Sequence, residues 1–270
     1  MRALGRRPRR GLSQSFLDDP RVARAIVRAA RLDPARDEVL EVGPGLGVLT
    51  EGLVKAARRV VAVEIDPELA EWLRTELAPA APALVVETAD ILAVDPSSFF
   101  EEPYVVVANL PYHVASPALR RLLESGPPFA CRLVVMLQRE VADRITASVG
   151  SLSALAVTIQ AQARVEVVQK VPAAAFYPRP KVDSAVLVLR PLPAHERPVR
   201  RAAFGAFTRL VQAGFKQPRK QIANSLAEGL GAERPHVLGL LERAGIEPTR
   251  RPQAVSVPEW VALFRASEAA

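Results

Sequence analysis

The four residues Asn109 to Tyr112, Asn-Leu-Pro-Tyr, could hold and activate an amino group on a flat ring. Asn109 offers an amide oxygen, and Leu110 offers a backbone carbonyl that Pro111 holds in place. An amine on an aromatic ring is a poor nucleophile because its lone pair is delocalised, and acceptors on its N–H groups return electron density to the nitrogen. Tyr112 adds a ring face on which a nucleobase can stack. The alternative interpretation is a simple turn.

A glycine-rich segment earlier in the chain, Glu41-Val-Gly-Pro-Gly-Leu-Gly47, is typical of a loop that binds a ligand through its backbone. Gly43 and Gly45 have no Cβ to keep a ligand away, and the helix predicted to follow leaves N–H groups free at its amino end. The dinucleotide fingerprint requires a further glycine where Val48 stands, so a closely seated pyrophosphate is not favoured. By itself, such a turn is a weak signal.

Two acidic residues at the predicted ends of later strands strengthen that signal. The carboxylate of Glu64 could accept hydrogen bonds from both hydroxyls of a ribose, which fits either NAD or S-adenosylmethionine. Asp90 could accept a hydrogen bond from an adenine amine, with Ile65 and Ile91 against the ring faces. This second acid favours S-adenosylmethionine as the cofactor. The alternative is that both acids only cap the helices that follow them.

The elements that must position these residues follow from the alternation of short apolar runs with amphipathic segments. Five runs are predicted strands: 39–42, 60–63, 84–86, 105–108 and 133–137. Three segments are predicted helices, the last two beginning with proline: 49–57, 67–77 and 117–123. Two later strands, 164–171 and 184–189, flank a proline-rich stretch, 172–180, that cannot be a strand interior. The predicted fold class is α/β, with a mostly parallel, doubly wound sheet.

The last part of the chain has a different pattern. Prolines at 191, 193 and 198 mark a boundary, and only helical spacing of apolar residues follows. We therefore predict two domains. Residues 1–195 would form the cofactor-binding domain, beginning with a basic tail at 1–12, and residues 196–270 would form a small all-helical domain.

The charge balance points to a polyanionic partner. Lys and Arg number 36 and Asp and Glu 29, which gives a net charge of +7 and a sequence pI of about 10.1. This excess favours nucleic acid as a partner. Our candidates for phosphate contacts are Arg200, Arg201, Lys216, Arg219 and Lys220. For the last three, an ordinary solvated helix face is the alternative.

Other features of the composition exclude classes of function. Cys131 is the only cysteine, which rules out an intrachain disulfide and a cysteine-based metal cluster. No apolar run approaches the ~18 residues that cross a bilayer, and the chain does not begin like a secretion signal. We expect a cytoplasmic monomer that uses no metal and binds no membrane.

Taken together, these residues resemble the ribosomal RNA adenine N6-dimethyltransferase family, most closely its branch that acts on small-subunit RNA. The resemblance covers nearly the whole chain, through residues 13–17, 41–47, 64, 90, 109–112, 138–141, 176–184 and 215–226. It implies the Rossmann-like fold of class I methyltransferases. The chain departs from the family pattern at Ser13, at Ser15 and in a shortened stretch, 148–153.

The resemblance also implies two sites and a substrate. The methyl donor would be bound by Gln14, Ser15, Leu17, Gly43, Glu64, Asp90 and Asn109. The target base would lie against residues 109–112, with Phe176 as the opposing ring, and the helical domain would help to hold RNA. The implied substrate is a hairpin near the 3′ end of 16S ribosomal RNA in the immature small subunit, where two adjacent adenosines are each methylated twice.

Three alternatives remain. The nearest is the related antibiotic-resistance methyltransferase of large-subunit RNA, which residues 111–114 resemble, although residues 224–226 and 245–248 argue against it. A nucleotide-dependent oxidoreductase is disfavoured by Val48. A non-catalytic assembly or transcription factor on the same fold is disfavoured by the intact residues 109–112.

Overall fold

The computed structural model describes residues 15–112 and 114–269, and a seven-stranded sheet carries the predicted site. Its strands are β2 Glu38–Val42, β3 Arg59–Glu64, β4 Leu84–Thr88, β5 Tyr104–Asn109, β6 Ala130–Gln138, β7 Ala163–Val171 and β9 Ser184–Pro191. Their order in the sheet is β4-β3-β2-β5-β6-β9-β7. Two short strands, β1 (Phe16–Leu17) and β8 (Phe176–Tyr177), pair with each other.

The first five strands of the sheet run parallel, and β9 runs antiparallel to β6. Because β2 has β3 on one side and β5 on the other, the winding of the chain reverses there. Such a switch point opens a crevice at the carboxyl ends of the strands. Parallel strands that are covered on both faces are apolar along their whole length. This is why the five predicted strands are confirmed, each to within three residues at either end.

The α-helices within the described ranges are α1 Pro20–Ala30, α2 Thr50–Ala56, α3 Pro67–Trp72, α4 Ala115–Glu124, α5 Arg139–Ile145, α6 Ala154–Gln160, α7 Phe204–Gly214, α8 Ile222–Leu230, α9 Arg234–Arg243 and α10 Val257–Glu268. A π-helix, Leu73–Leu77, continues α3 to the end of the predicted helix 67–77. Side-chain caps define several helix starts. Asp19, Asp66 and Ser153 accept backbone N–H groups from the first turns of α1, α3 and α6. No helix in the described part of the chain is both long and apolar enough to span a bilayer.

Two predictions about proline need correction. Pro117 is the third residue of α4, not the first, because the helix begins at Ala115. Its missing N–H costs nothing there, since the first four N–H groups of a helix have no partner within it. The proline-rich stretch 172–180 does contain a strand, β8, but the strand is only two residues long. It ends before Pro178, so the ladder requires no donor from a proline.

The described chain divides into two compact units, each with its own hydrophobic core. The sheet unit comprises the chain up to Ala142 together with Glu166–Pro191, and the helical unit comprises Asp143–Val165 and the chain from Leu192 onward. Residues 143–165, which the sequence analysis kept with the sheet, join the helical unit because Leu152 and Val157 belong to its core. The predicted division into 1–195 and 196–270 did not separate this segment.

Glycine permits a close approach inside the helical unit. Gly229 of α8 lies against the backbone of Ala213 in α7, where any Cβ would collide with the Ala213 carbonyl. Nearby, the stacked rings of Phe215 and Trp260 have centroids 5.3 Å apart. The packing of α7 on α8 therefore depends on the absence of a side chain at residue 229.

Candidate active site

A cleft of about 270 Å³ opens at the carboxyl ends of β2 to β5. It is lined by these predicted site residues: Ser15, Leu17, Gly43, Gly45, Glu64, Ile65, Asp90, Ile91, Asn109, Leu110, Pro111 and Tyr112. Parallel strands all end at one edge of a sheet, so residues far apart in sequence meet there. Gln14 and the basic tail 1–12 lie outside the described residues.

The glycine loop of the cleft needs glycine at two positions. Gly43 and Gly45 have φ angles of 67° and 58°, a left-handed conformation that other residues rarely adopt. The Gly43 N–H donates to the Val63 carbonyl at 2.9 Å, which ties the loop to β3. A Cβ on Gly45 would lie 3.0 Å from the ring of Phe16. The helix that follows begins only at Thr50, so its amino end lies beyond the glycines.

Glu64, at the end of β3, is buried and firmly held. One carboxylate oxygen accepts the Gly45 N–H at 3.0 Å, and the other accepts the Asp66 N–H at 2.9 Å. Burial raises the pKa of Glu64, while these two N–H groups oppose that rise. Asp66, not Glu64, caps α3. The capping interpretation of Glu64 is therefore wrong, and its carboxylate faces the cleft.

Asp90 lies two residues beyond the end of β4 and is exposed. Its Oδ1 accepts the Leu92 N–H at 2.9 Å, so the side chain does stabilise a turn. Capping that turn engages only one of its two oxygens. Ile65 is 51% exposed and Ile91 6% exposed, and both line the same cleft. The two roles considered for Asp90 are compatible.

The predicted catalytic loop packs directly on the glycine loop. Asn109 is the last residue of β5 and pairs with Met136 of β6. The Leu110 N–H then donates to the Met136 carbonyl at 3.0 Å, which extends the ladder by one bond. A Cβ on Gly43 would lie 3.9 Å from both the Asn109 carbonyl oxygen and Cδ of Pro111. The backbone at residues 109–111 is thus held from two sides.

Tyr112 is half-buried and is tethered through its hydroxyl. Its Oη lies 2.9 Å from Oγ of Ser184, the first residue of β9, and Ser184 is fully buried. Burial raises the pKa of Tyr112. The hydrogen bond restrains the ring beside the cleft, which suits a stacking surface.

The pairing of β1 with β8 determines how deeply two more predicted site residues are buried. Leu17 and Phe176 lie directly opposite each other and are 5% and 4% exposed. Both belong to the core of the sheet unit, and only Leu17 also lines the cleft. Ser15, just before β1, donates its hydroxyl to the Pro178 carbonyl at 2.6 Å. The role of Phe176 as the opposing ring stays a prediction.

The five predicted phosphate-binding residues lie in the helical unit. Arg200 is exposed and Arg201 is half-buried. The other three occupy the loop between α7 and α8, so the solvated helix face proposed for them is wrong. Nζ of Lys216 and Nζ of Lys220 lie 4.0 and 3.7 Å from the Glu228 carboxylate. Their contact with RNA remains a prediction.

Sequence analysis assigned no individual role to Phe16, which lines the cleft, or to Glu41, which lies outside its lining. Phe16 lines the cleft and covers Gly45 with its ring, and its position between Ser15 and Leu17 was the available signal. Glu41 is 1% exposed in the middle of the sheet, and within the described residues only the Thr50 hydroxyl acts on its carboxylate as a hydrogen-bond donor. Burial raises the pKa of Glu41 to about 8, while the Thr50 hydroxyl opposes this rise and the charge of Glu64 adds to it. An acid inside the apolar run 39–42 was its signal.

The strand order of the sheet and the residues that line the cleft agree with the expected class, the Rossmann-like methyltransferases. A comparison with protein families narrows that class, because the model of "Ribosomal RNA adenine dimethylase" matches residues 5–264. The chain belongs to the ribosomal RNA adenine dimethylase family.

Individual relatives agree with this assignment. Ribosomal RNA small subunit methyltransferase A of Dehalococcoides mccartyi is 44% identical over 260 residues, covering 95% of this chain and 87% of the relative. The protein of the same name in Moorella thermoacetica is 40% identical over 279 residues, covering 98% of this chain and 94% of the relative. Among solved structures, the 23S rRNA methyltransferase ErmE has a TM-score of 0.70 at 33% identity, covering 94% and 99%. A dimethyladenosine transferase from Plasmodium falciparum, with a TM-score of 0.77 at 24% identity, covers 92% and 95% and supports the fold.

Proposed function

We propose that this chain transfers methyl groups from S-adenosylmethionine to N6 of adenosines in small-subunit ribosomal RNA, forming N6,N6-dimethyladenosine. The observation that carries the proposal is that one cleft holds both the acid Glu64 and the acceptor pair Asn109 and Leu110. The choice of subunit is supported by relatives that are 37% to 44% identical and carry that name. The target we infer is two adjacent adenosines of the 3′ hairpin, each methylated twice in the immature subunit.

The acceptors of the cleft fit S-adenosylmethionine. Glu64 is held by two backbone N–H groups, and each of its oxygens keeps a lone pair for a ribose hydroxyl. Within the described residues, Asp90 accepts the Leu92 N–H through Oδ1 alone, so Oδ2 can accept from the adenine amine. Ile65 and Ile91 supply apolar surface for the adenine ring. When bound, the cofactor supplies an electrophilic methyl group on a positively charged sulfur.

Asn109 and Leu110 would orient the target amine. The amide oxygen of one and the backbone carbonyl of the other accept its two N–H groups, while Tyr112 stacks on the base. These acceptors stabilise the positive charge that develops on nitrogen more than they stabilise the neutral amine, so they favour the transition state. A strong base is not needed, because the methylated amine loses its proton to water afterwards.

The test uses labelled S-adenosylmethionine with unmethylated small and large ribosomal subunits in separate reactions, followed by mapping of the methylated adenosines. We expect dimethyladenosine in the small-subunit RNA alone. The matched control is Asn109→Ala, which should keep the melting temperature while its single-turnover rate falls by about 100-fold or more.

Two outcomes would contradict the proposal. Label confined to large-subunit RNA would mean that the chain has the activity in the name of the 23S rRNA methyltransferase ErmE. This chain and ErmE are 33% identical. A near-normal single-turnover rate for Asn109→Ala would rule out the proposed orientation of the amine.

A further inference from the structure

The loop formed by residues 177–183, here called the rim loop, is attached to the cleft at both ends. At its start, Tyr177 pairs with Phe16, which lines the cleft. Just after its end, Ser184 holds the hydroxyl of Tyr112 at 2.9 Å. The Ser15 hydroxyl also donates to the Pro178 carbonyl at 2.6 Å. The rim loop therefore lies beside the cleft, in contact with three residues of its lining: Ser15, Phe16 and, through Ser184, Tyr112.

Tyr177 presents an aromatic ring to solvent at this border. Residues directly opposite in an antiparallel pair have their side chains on the same face, with Cβ atoms about 5 Å apart. Leu17 and Phe176 occupy the buried face of the β1–β8 pair, so Phe16 and Tyr177 occupy the other. Tyr177 is 59% exposed, so more than half of its side chain is open to solvent. Its ring stands beside the cleft lining without being part of it.

Two cations of the rim loop are also exposed. Arg179 and Lys181 form no ion pair with any carboxylate in the described ranges of the chain. The one acid of the loop, Asp183, is already engaged: its carboxylate lies 3.4 Å from Arg139 and accepts the Ala173 N–H at 3.1 Å. The positive charge of the loop is therefore available to an external anion.

We propose that the rim loop binds the RNA strand next to the target adenosine, with Tyr177 stacked on a neighbouring base and Arg179 and Lys181 on backbone phosphates. This inference rests on the proposed function, since it takes RNA as the substrate of the cleft. An aromatic ring combined with unpaired cations is the arrangement that binds single-stranded nucleic acid. Tyrosine and arginine are also enriched in protein–protein interfaces, so binding to a ribosomal protein is a separate outcome of the test.

The experiment compares four variants with the wild-type protein: Tyr177→Ala, Tyr177→Phe, the pair Arg179→Gln with Lys181→Gln, and a charge-matched control. The control is Arg28→Gln with Lys55→Gln, two exposed cations in the last turns of α1 and α2, near the amino ends of the strands. Affinity for an unmethylated small-subunit rRNA transcript, and for assembled unmethylated small subunits, is measured over a range of salt concentrations. Affinity for S-adenosylmethionine is measured by calorimetry.

We expect Tyr177→Ala to weaken RNA binding by at least about fivefold, and Tyr177→Phe to stay within about twofold of wild type, because stacking needs a ring. Neutralising Arg179 and Lys181 should flatten the slope of log affinity against log salt by about 1.4 to 1.8. The control pair should leave the slope unchanged. Affinity for S-adenosylmethionine should stay the same in every variant.

Several results would overturn the inference. Wild-type RNA affinity in Tyr177→Ala, or a wild-type salt slope in the double variant, would remove the rim loop from the RNA surface. Loss of S-adenosylmethionine affinity in Tyr177→Ala would mean that the ring only supports Phe16. Weaker binding to assembled subunits with unaltered binding to the naked transcript would assign the loop to a ribosomal protein.

Failure of the proposed function gives a different result. If the wild-type protein binds the transcript but transfers no methyl group to it or to either subunit, the proposed function is wrong. The contribution of the rim loop is still decided by the binding measurements alone.

Discussion

Glu64 is held in place by the backbone N–H groups of Gly45 and Asp66, independently of any ligand. We predict that Glu64→Ala lowers the affinity for S-adenosylmethionine by at least about tenfold, because hydrogen bonds to a charged group are lost. Glu64→Gln keeps one carbonyl acceptor, so its affinity for S-adenosylmethionine should lie between those of the wild-type protein and Glu64→Ala. Calorimetry measures this directly, and unchanged affinity in the alanine variant would mean that Glu64 does not bind the ribose.

Two variants of Tyr112 can separate the effect of its ring from that of its hydroxyl, which is hydrogen-bonded to buried Ser184. Tyr112→Phe should keep most of the single-turnover rate, and Tyr112→Ala should lose it, because a base needs a flat ring for stacking. The phenylalanine variant should also be destabilised by about 1–3 kcal/mol, since Ser184 is left buried and unpaired. Adding Ser184→Ala should restore that stability in urea denaturation. A phenylalanine variant as inactive as the alanine variant would show that the hydroxyl takes part.

Among the elements, the loop between α7 and α8 carries three of the predicted phosphate contacts. Lys216 and Lys220 share Glu228, whereas Arg219 has no carboxylate partner within the described residues. Replacing all three cations with glutamine should flatten the salt dependence of RNA binding, and Arg219→Gln alone should produce the largest single effect. Glu228→Gln, which frees both lysines, should instead strengthen RNA binding. An unaltered salt slope in the triple variant would exclude this loop from the interface.

The contact between α7 and α8 gives a prediction about stability. Gly229→Ala should lower the free energy of unfolding by about 1–3 kcal/mol, because the new Cβ forces α8 away from the Ala213 backbone. Gly239 is the matched control, since a Cβ there would meet only the end of a flexible arginine side chain, Arg243, at 3.7 Å. Gly239→Ala should raise stability by about 0.5–1 kcal/mol through helix propensity. Equal effects in thermal melts would contradict the close approach.

For the whole molecule, Glu41 couples folding to proton uptake. Burial raises its pKa to about 8 from an ordinary value of 4.5, so between these values the folded protein holds a proton that the unfolded chain releases. The stabilisation is complete below the ordinary pKa and is lost as pH rises towards the folded pKa, by about 1.4 kcal/mol per pH unit.

We therefore predict that Glu41→Gln, which cannot titrate, gains stability relative to wild type as pH increases from about 5 to about 8. Urea denaturation across this range measures the difference. If the free energies of unfolding of the two proteins changed equally with pH, Glu41 would be ionised in the folded state.

The sequence alone predicted the parts of the molecule that depend on local pattern. Central parallel strands are covered on both faces, so apolar runs revealed β2 to β6. The glycines of the loop, Glu64 at the end of β3 and Asp90 just beyond β4 were predicted to lie together, and they line one cleft with Asn109 to Tyr112. These features need no knowledge of distant contacts, because the edge of a parallel sheet brings them together.

The remaining features of the fold and the site depend on contacts between residues that are far apart in the sequence. Ser15 meets Pro178 across 163 residues, and the pairing of β1 with β8 buries Phe176 while it exposes Tyr177. Neighbouring residues in a strand face opposite sides, so only the register of that pairing determines which ring reaches solvent. The segment 143–165 likewise joins the helical unit through side chains that pack on helices late in the chain. Such contacts leave no periodic signal in the sequence, because the partners that define them are set by tertiary packing.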